Sequence, residues 1–253
     1  SGGLADREFG HWTKTLAPGT SFTAPAAYLA CVQGNLEDLC TRLTAAQHAA
    51  ADTHPAIEAD LPIVFNEWCT TWGTPTHDKL LALAQRLRGT DVKYLVIDAG
   101  WYVSDSGGSG HGDWIPNPER FPHGLKATAD AIRAAGLIPG LWFEFEDCSE
   151  GSAAFARREW HLHRDGHPIS LYQRRFPDFN NPAVIAHLAE RVIGLLRRCG
   201  IGYLKVDYNE TIGIGCDGCE SLGEGLRRQV LASQEFLRRL RAELPELVIE
   251  SCA

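Results

Sequence analysis

Gly202-Tyr203-Leu204-Lys205-Val206-Asp207-Tyr208-Asn209 reads as an apolar strand that delivers Lys205, Asp207 and Asn209 at alternate positions. Residues i, i+2 and i+4 of a strand share one face. An ammonium, a carboxylate and an amide gathered at a strand's C-terminal end make poor core, because unpaired buried charge is costly. The structural alternative is a salt-bridged Lys-Asp pair that caps the strand.

Outward from this stretch the same pattern repeats. Residues 61–66, 93–98, 137–143 and 247–250 read as further strands, with helices expected over 77–88, 124–135, 182–199 and 222–244. Short β-rich runs alternating with longer amphipathic runs predict parallel βα units. No Gly-x-Gly-x-x-Gly follows the first strand, so the α/β pattern fits a partial TIM (β/α)8 barrel of about five strand-helix units better than a dinucleotide-binding sheet. That barrel is expected over 61–253, as the N-terminal part of a catalytic domain, with about three more units beyond it. Residues 36–60 read as a helical connector, capped by Asn35 and apolar along Leu36, Leu39, Cys40 and Leu43. Before it, the β-prone runs 20–23 and 28–32, bounded by Pro18-Gly19, Pro25 and Gly34, predict that 1–35 is the C-terminal end of a β-sandwich domain.

Composition narrows the function classes. A chain of 253 residues with 44% apolar and 22% charged residues can bury a large core. Its net charge of -8 and pI near 5.7 argue against a nucleic-acid partner, which requires concentrated positive charge. No run of about 18 apolar residues and no basic-then-apolar leader is present, so no membrane association is expected. The eight cysteines are dispersed, which suits reduced thiols in a cytoplasmic protein. The absence of methionine and the stop just after a strand-like run predict a piece of a longer protein.

The strand ends carry the chemistry. They read Asn66-Glu67-Trp68, Asp98-Ala99-Gly100-Trp101, Trp142-Phe143-Glu144-Phe145-Glu146-Asp147 and Glu250-Ser251-Cys252, besides Lys205 to Asn209. Each offers a carboxylate and most add an aromatic ring. In a barrel these ends converge on one pocket. Indole faces stack on sugar rings while carboxylates and amides bind hydroxyls, so a small carbohydrate is the expected partner. No metal is expected: Cys216-Asp217-Gly218-Cys219 has no second Cys pair and reads as a tight turn, and His161 and His163 read as structural.

Lys205-Val206-Asp207-Tyr208-Asn209, together with Asp98-Ala99-Gly100-Trp101 and Trp142-Phe143-Glu144, resembles glycoside hydrolase family 36, the bacterial α-galactosidase family. Gly112-Asp113-Trp114, Asn117 and Phe121-Pro122-His123-Gly124-Leu125 resemble its second loop, and the likeness spans roughly 61–253. The resemblance implies a retaining glycosidase that cleaves terminal α-galactosides through a glycosyl intermediate on Asp207. It also implies that Lys205 contacts sugar hydroxyls, that Asn209 supports the pocket, and that Asp98, Trp68 and Trp142 bind the ring with Cys252 beside its C2 side. No cofactor is implied, and homo-oligomers are. The family usually carries two aspartates where this chain has Asp98 and Ala99.

A retaining enzyme needs two carboxyl groups about 5 to 5.5 Å apart. The family's acid/base is an aspartate past the Ser-Cys pair, so it is expected beyond Ala253, with Glu144, Glu146 and Glu250 as the substitutes within the chain. Residues 1–253 alone are therefore expected to be inactive. The alternatives are an α-N-acetylgalactosaminidase, a galactosyl transferase and, from another class, a non-catalytic sugar-binding module.

Overall fold

The computed structural model describes residues 11–51, 54–104 and 110–252. Residues 105–109, in the Gly/Ser-rich stretch that follows Asp98-Ala99-Gly100-Trp101, lie outside them. Five parallel strands, Ile63–Asn66, Val92–Ile97, Ile138–Phe143, Tyr203–Val206 and Val248–Ser251, pair in chain order into a curled half-barrel sheet. The expected partial TIM barrel is thus the observed architecture.

Strand parity divides the chain's apolar residues between two cores. Leu95, Ile97, Leu141, Phe143, Leu204 and Val206 point outward into the layer shared with the helices, whereas Tyr94, Val96, Tyr203 and Val248 form a second cluster on the inner face, with Ile138 packed against it. Gly140 sits on that inner face. A Cβ there would lie 2.8 Å from Cγ2 of Val96 and 3.2 Å from Cβ of Tyr203. The same period of two then aims Asn66, Asp98, Trp142, Glu144, Lys205, Asp207 and Cys252 at the mouth of the sheet.

The helices start where their caps dictate. Thr76 accepts from Lys79 N ahead of His77–Leu87, and Ser221 from Glu224 N ahead of Leu222–Glu243. Asn181 accepts from Ala183 N at 2.9 Å, and Pro182 occupies the first turn, where its missing N–H costs nothing. The expected helix over 182–199 runs as Pro182–Leu188 and Gly194–Cys199 joined by a π turn, Ala189–Ile193. Leu125–Ala134 buries Leu125, Thr128, Ala129 and Ile132, one stripe at helical spacing. The first strand begins two residues later than expected, because Leu61 is left-handed (φ 49°) and closes the 3-10 turn Ala56–Asp60.

The segment between the third strand and Pro182 is more structured than a loop. Cys148–Ser149, Arg174–Arg175 and Ser170–Leu171 make a small antiparallel sheet, and His163–Arg164 pairs with His167–Pro168. Upstream, Asn35 caps Leu36–Ala51 as expected, accepting from Glu37 N at 2.8 Å. The β-prone runs 20–23 and 28–32 join no described sheet. Residues 11–22 instead lie over the start of Leu222–Glu243, where Trp12 Nε1 donates to Glu224 at 3.0 Å and Lys14 Nζ at 3.1 Å.

Candidate active site

At the C-terminal ends of the strands a cavity of about 400 Å³ opens. Of the residues singled out in the sequence, Trp68, Asp98, Trp142, Lys205, Asp207 and Asn209 line it. Cys252 stands behind them, its thiol against Asp207; burial first, and then the Asp207 charge, push that thiol's pKa up.

Asp98 is held by three hydrogen bonds. Its Oδ2 accepts from Asn66 Nδ2 at 2.6 Å and Lys205 Nζ at 3.1 Å, and its Oδ1 from Ala99 N at 2.8 Å. Burial opposes the charge on Lys205, yet the Asp98 hydrogen bond and charge outweigh it and raise the ammonium's pKa. Glu67 is not a pocket group. It is buried and turned back, accepting from Asp98 N at 2.9 Å and from Thr71 Oγ1.

Asp207 carries a carboxylate that its neighbours keep ionised. Burial alone would raise its pKa; hydrogen bonds from Asn209 and Trp142, the Lys205 charge and the Tyr208 N–H more than offset this and hold it below the usual carboxylate range. Trp142 Nε1 donates to Oδ2 at 2.9 Å and Tyr208 N to Oδ1 at 3.1 Å. Trp142 is itself fixed, because Trp101 Nε1 donates to its carbonyl at 2.8 Å.

None of the three substitute acids is placed to give up a proton to a leaving group. Burial and then the Asp147 charge raise the Glu144 pKa. Both its oxygens are nevertheless taken: Oε1 accepts from Asn209 N at 2.6 Å and Nδ2 at 3.0 Å, and Oε2 meets Arg174 Nη1 at 2.7 Å. Glu146 bonds Ser233 on the long helix, and Glu250 accepts from Tyr203 Oη at 2.9 Å below the pocket.

Ala99 and Glu144 also line the cavity, and Tyr102, His111 and Arg174, which the sequence reading did not single out, complete the lining. Arg174 arrives on a two-residue strand too short to leave a periodic signal, and His111 precedes the Gly112-Asp113-Trp114 motif by one residue. Asp113 of that motif is structural: it is buried and accepts from Ala153 N at 2.7 Å and Ala154 N at 2.8 Å, fastening the turn that starts there. His111, Glu144 and Asp147 place cation-ligand atoms within 4.8 Å of one another. Arg174 already bridges both carboxylates, so this donor set suits a guanidinium better than a metal ion. A larger cavity of about 640 Å³ borders Lys14, Glu220, Glu224 and Arg227, none of which lines the first cavity, and these four groups are paired with one another.

A family model described as Melibiase matches residues 21–253. Alpha-galactosidase 2 of Pediococcus pentosaceus is 28% identical over 244 residues, covering 94% of this chain and 33% of its own length. The crystal structure of GH36 alpha-galactosidase AgaB from Geobacillus stearothermophilus superimposes with a TM-score of 0.69 at 26% identity, over 79% of this chain and 29% of that one. A variant of AgaA from the same organism, solved in complex with stachyose, gives a TM-score of 0.68 at 26% identity over the same shares. The chain spans about a third of the length of the curated relatives it matches.

Proposed function

The chain belongs to the Melibiase family, and from that premise we propose that the complete protein is a retaining glycoside hydrolase that cleaves terminal α-galactosides with Asp207 as nucleophile. The observation that carries this reading is the Asp207 carboxylate itself, kept ionised by Asn209, Trp142 and Lys205 at the wall of a cavity sized for one or two sugar rings. A carboxylate that stays charged can attack the anomeric carbon, forming the C–O bond to the enzyme as the bond to the leaving oxygen breaks. Asp98 and Lys205 form an ion pair facing the same space, so acceptor and donor stand side by side for neighbouring sugar hydroxyls. Trp68 and Trp142 offer ring faces for the apolar side of the sugar. Asn209 spans Asp207 and Glu144 and fixes their spacing. Cys252, behind Asp207, bounds the sugar's C2 side.

The leaving-group proton comes from a carboxyl outside residues 1–253, since Glu144, Glu146 and Glu250 are engaged elsewhere. Relatives named alpha-galactosidases, one of them solved with stachyose, support the substrate class. The eight unpaired cysteines support a cytoplasmic setting, and among the described residues no helix is long and apolar enough to cross a membrane. Assembly into homo-oligomers is part of the same reading and rests on family resemblance.

The test is turnover of 4-nitrophenyl α-galactoside by the complete protein, with the product's anomeric configuration read by NMR. Retention is expected, and Asp207→Ala should lower kcat by a factor on the order of 10⁴ or more. A variant that keeps its rate removes Asp207 from the mechanism. No turnover by the unaltered protein, with galactose still bound, would replace the enzyme with a sugar-binding module.

A further inference from the structure

His111 lines the cavity and has no part in the chemistry above. His111 is 5% exposed, its ring packed against Tyr102, Trp114 and Trp142 at centroid distances of 6.0, 5.6 and 6.2 Å. Its Nε2 meets Oδ1 of Asp147, whose other oxygen accepts from Arg174 Nη1 at 2.9 Å. The main-chain N–H of His111 donates to Ser149 Oγ at 2.8 Å. Ring and backbone are therefore both fastened.

The partners also fix the ring's polarity. A carboxylate paired with a guanidinium is an acceptor only, so the proton shared with the imidazole belongs to Nε2, and in the tautomer this fixes Nδ1 is a lone-pair acceptor. Among the described residues Nδ1 has no hydrogen-bond partner, and it is not one of the nitrogens sealed from solvent. The opening available to it is the sugar-sized cavity. A preorganised acceptor among aromatic rings is costly to leave unpaired and rewards a ligand that brings an O–H. In the same wall Ala99 supplies only a methyl group.

We propose that His111 is a specificity-determining residue whose Nδ1 accepts a hydrogen bond from one hydroxyl of the bound galactosyl ring, supplying a polar contact that Ala99 does not. This rests on the glycosidase reading above. Fastening the 110–113 segment to the small sheet is the purely structural role, and the two differ in how they treat substrates that lack one hydroxyl.

The experiment measures kcat/KM of the complete protein on 4-nitrophenyl α-galactoside and its 2-, 3-, 4- and 6-deoxy analogues, for the unaltered enzyme, His111→Phe and His111→Asn. Phe keeps the ring packing, and Asn keeps a side-chain acceptor. The His111→Phe variant should lose about tenfold on the parent galactoside and on three analogues, but nothing on the fourth, the one lacking the hydroxyl that His111 reads. The Asn variant should recover part of the loss on the same substrates. A loss spread equally over all five substrates, or no loss, overturns the assignment. If the unaltered protein turns over none of them, the glycosidase reading fails by itself. The dissociation constants of galactose and its deoxy analogues then decide His111 by the same pattern.

Discussion

Trp142 Nε1 lies 2.9 Å from Oδ2 of Asp207, so one indole both walls the cavity and holds an oxygen of the candidate nucleophile. That bond is one of the interactions that carry the Asp207 pKa below the usual range against the opposing effect of burial. Trp142→Phe keeps most of the ring face and removes the donor. The Asp207 pKa should then rise, so the acid limb of the kcat/KM profile moves to higher pH, with about a tenfold loss on the plateau. A pH-rate profile of the complete protein checks this; an acid limb that stays where it was would mean that Trp142 acts only as a wall.

Arg174 sits between two buried carboxylates, 2.7 Å from Glu144 and 2.9 Å from Asp147. Removing one partner of a buried pair leaves uncompensated charge, and Arg174→Ala should cost about 3–5 kcal/mol near neutral pH. The sign with pH follows from Glu144, whose pKa burial and Asp147 already raise. Without Arg174 it rises further, so the penalty is present above the folded-state value and shrinks as pH falls toward the ordinary carboxylate value, where the proton is bound in both states. Denaturant unfolding at pH 7 and near pH 4.5 would reveal it as a narrowing gap between the variant and the unaltered protein.

How much of this was legible in the sequence depends on the length of the element that delivers each residue. Lys205 and Asp207 sit at the end of a strand whose alternation is visible, and Asp98 and Trp142 follow the same rule on neighbouring strands. Arg174 and His111 come from a two-residue strand and a turn, held by tertiary hydrogen bonds to Asp147 and Ser149, so no local period marks them. Glu67 misled for the opposite reason. It follows the strand directly, but a helical turn begins at Trp68 and swings its carboxylate back beneath Asp98 N.

Gly140 tests the inner packing of the sheet independently of the chemistry. Ala at this position puts a methyl 2.8 Å from Val96 Cγ2 and 3.2 Å from both Val96 Cα and Tyr203 Cβ. Two of these neighbours belong to paired strands and cannot swing aside as a long side chain would. Gly140→Ala should therefore destabilise by about 1–3 kcal/mol. An unchanged urea midpoint would show that the strands shift apart at little cost.

Glu224 ties the residues before the barrel to its long helix, and its charge state should control that attachment. Its carboxylate accepts from Arg227 Nε at 2.8 Å and Nη2 at 2.7 Å, from Lys14 Nζ at 3.1 Å and from Trp12 Nε1 at 3.0 Å. The Arg227 hydrogen bonds are the largest influence and, against the effect of burial, carry the pKa down to about 2. A carboxylate whose folded value is depressed contributes stability above its unfolded value, near 4.5, and loses it as pH falls toward 2. Glu224→Gln should thus lower the thermal midpoint by several degrees at pH 7, and the two proteins should converge between pH 4.5 and 2. Because Lys14 and Trp12 lose a charged partner, protease cleavage within residues 11–22 should also accelerate in the variant at neutral pH. A midpoint difference that persists unchanged to pH 2 would mean that Glu224 acts through packing, with its charge contributing nothing.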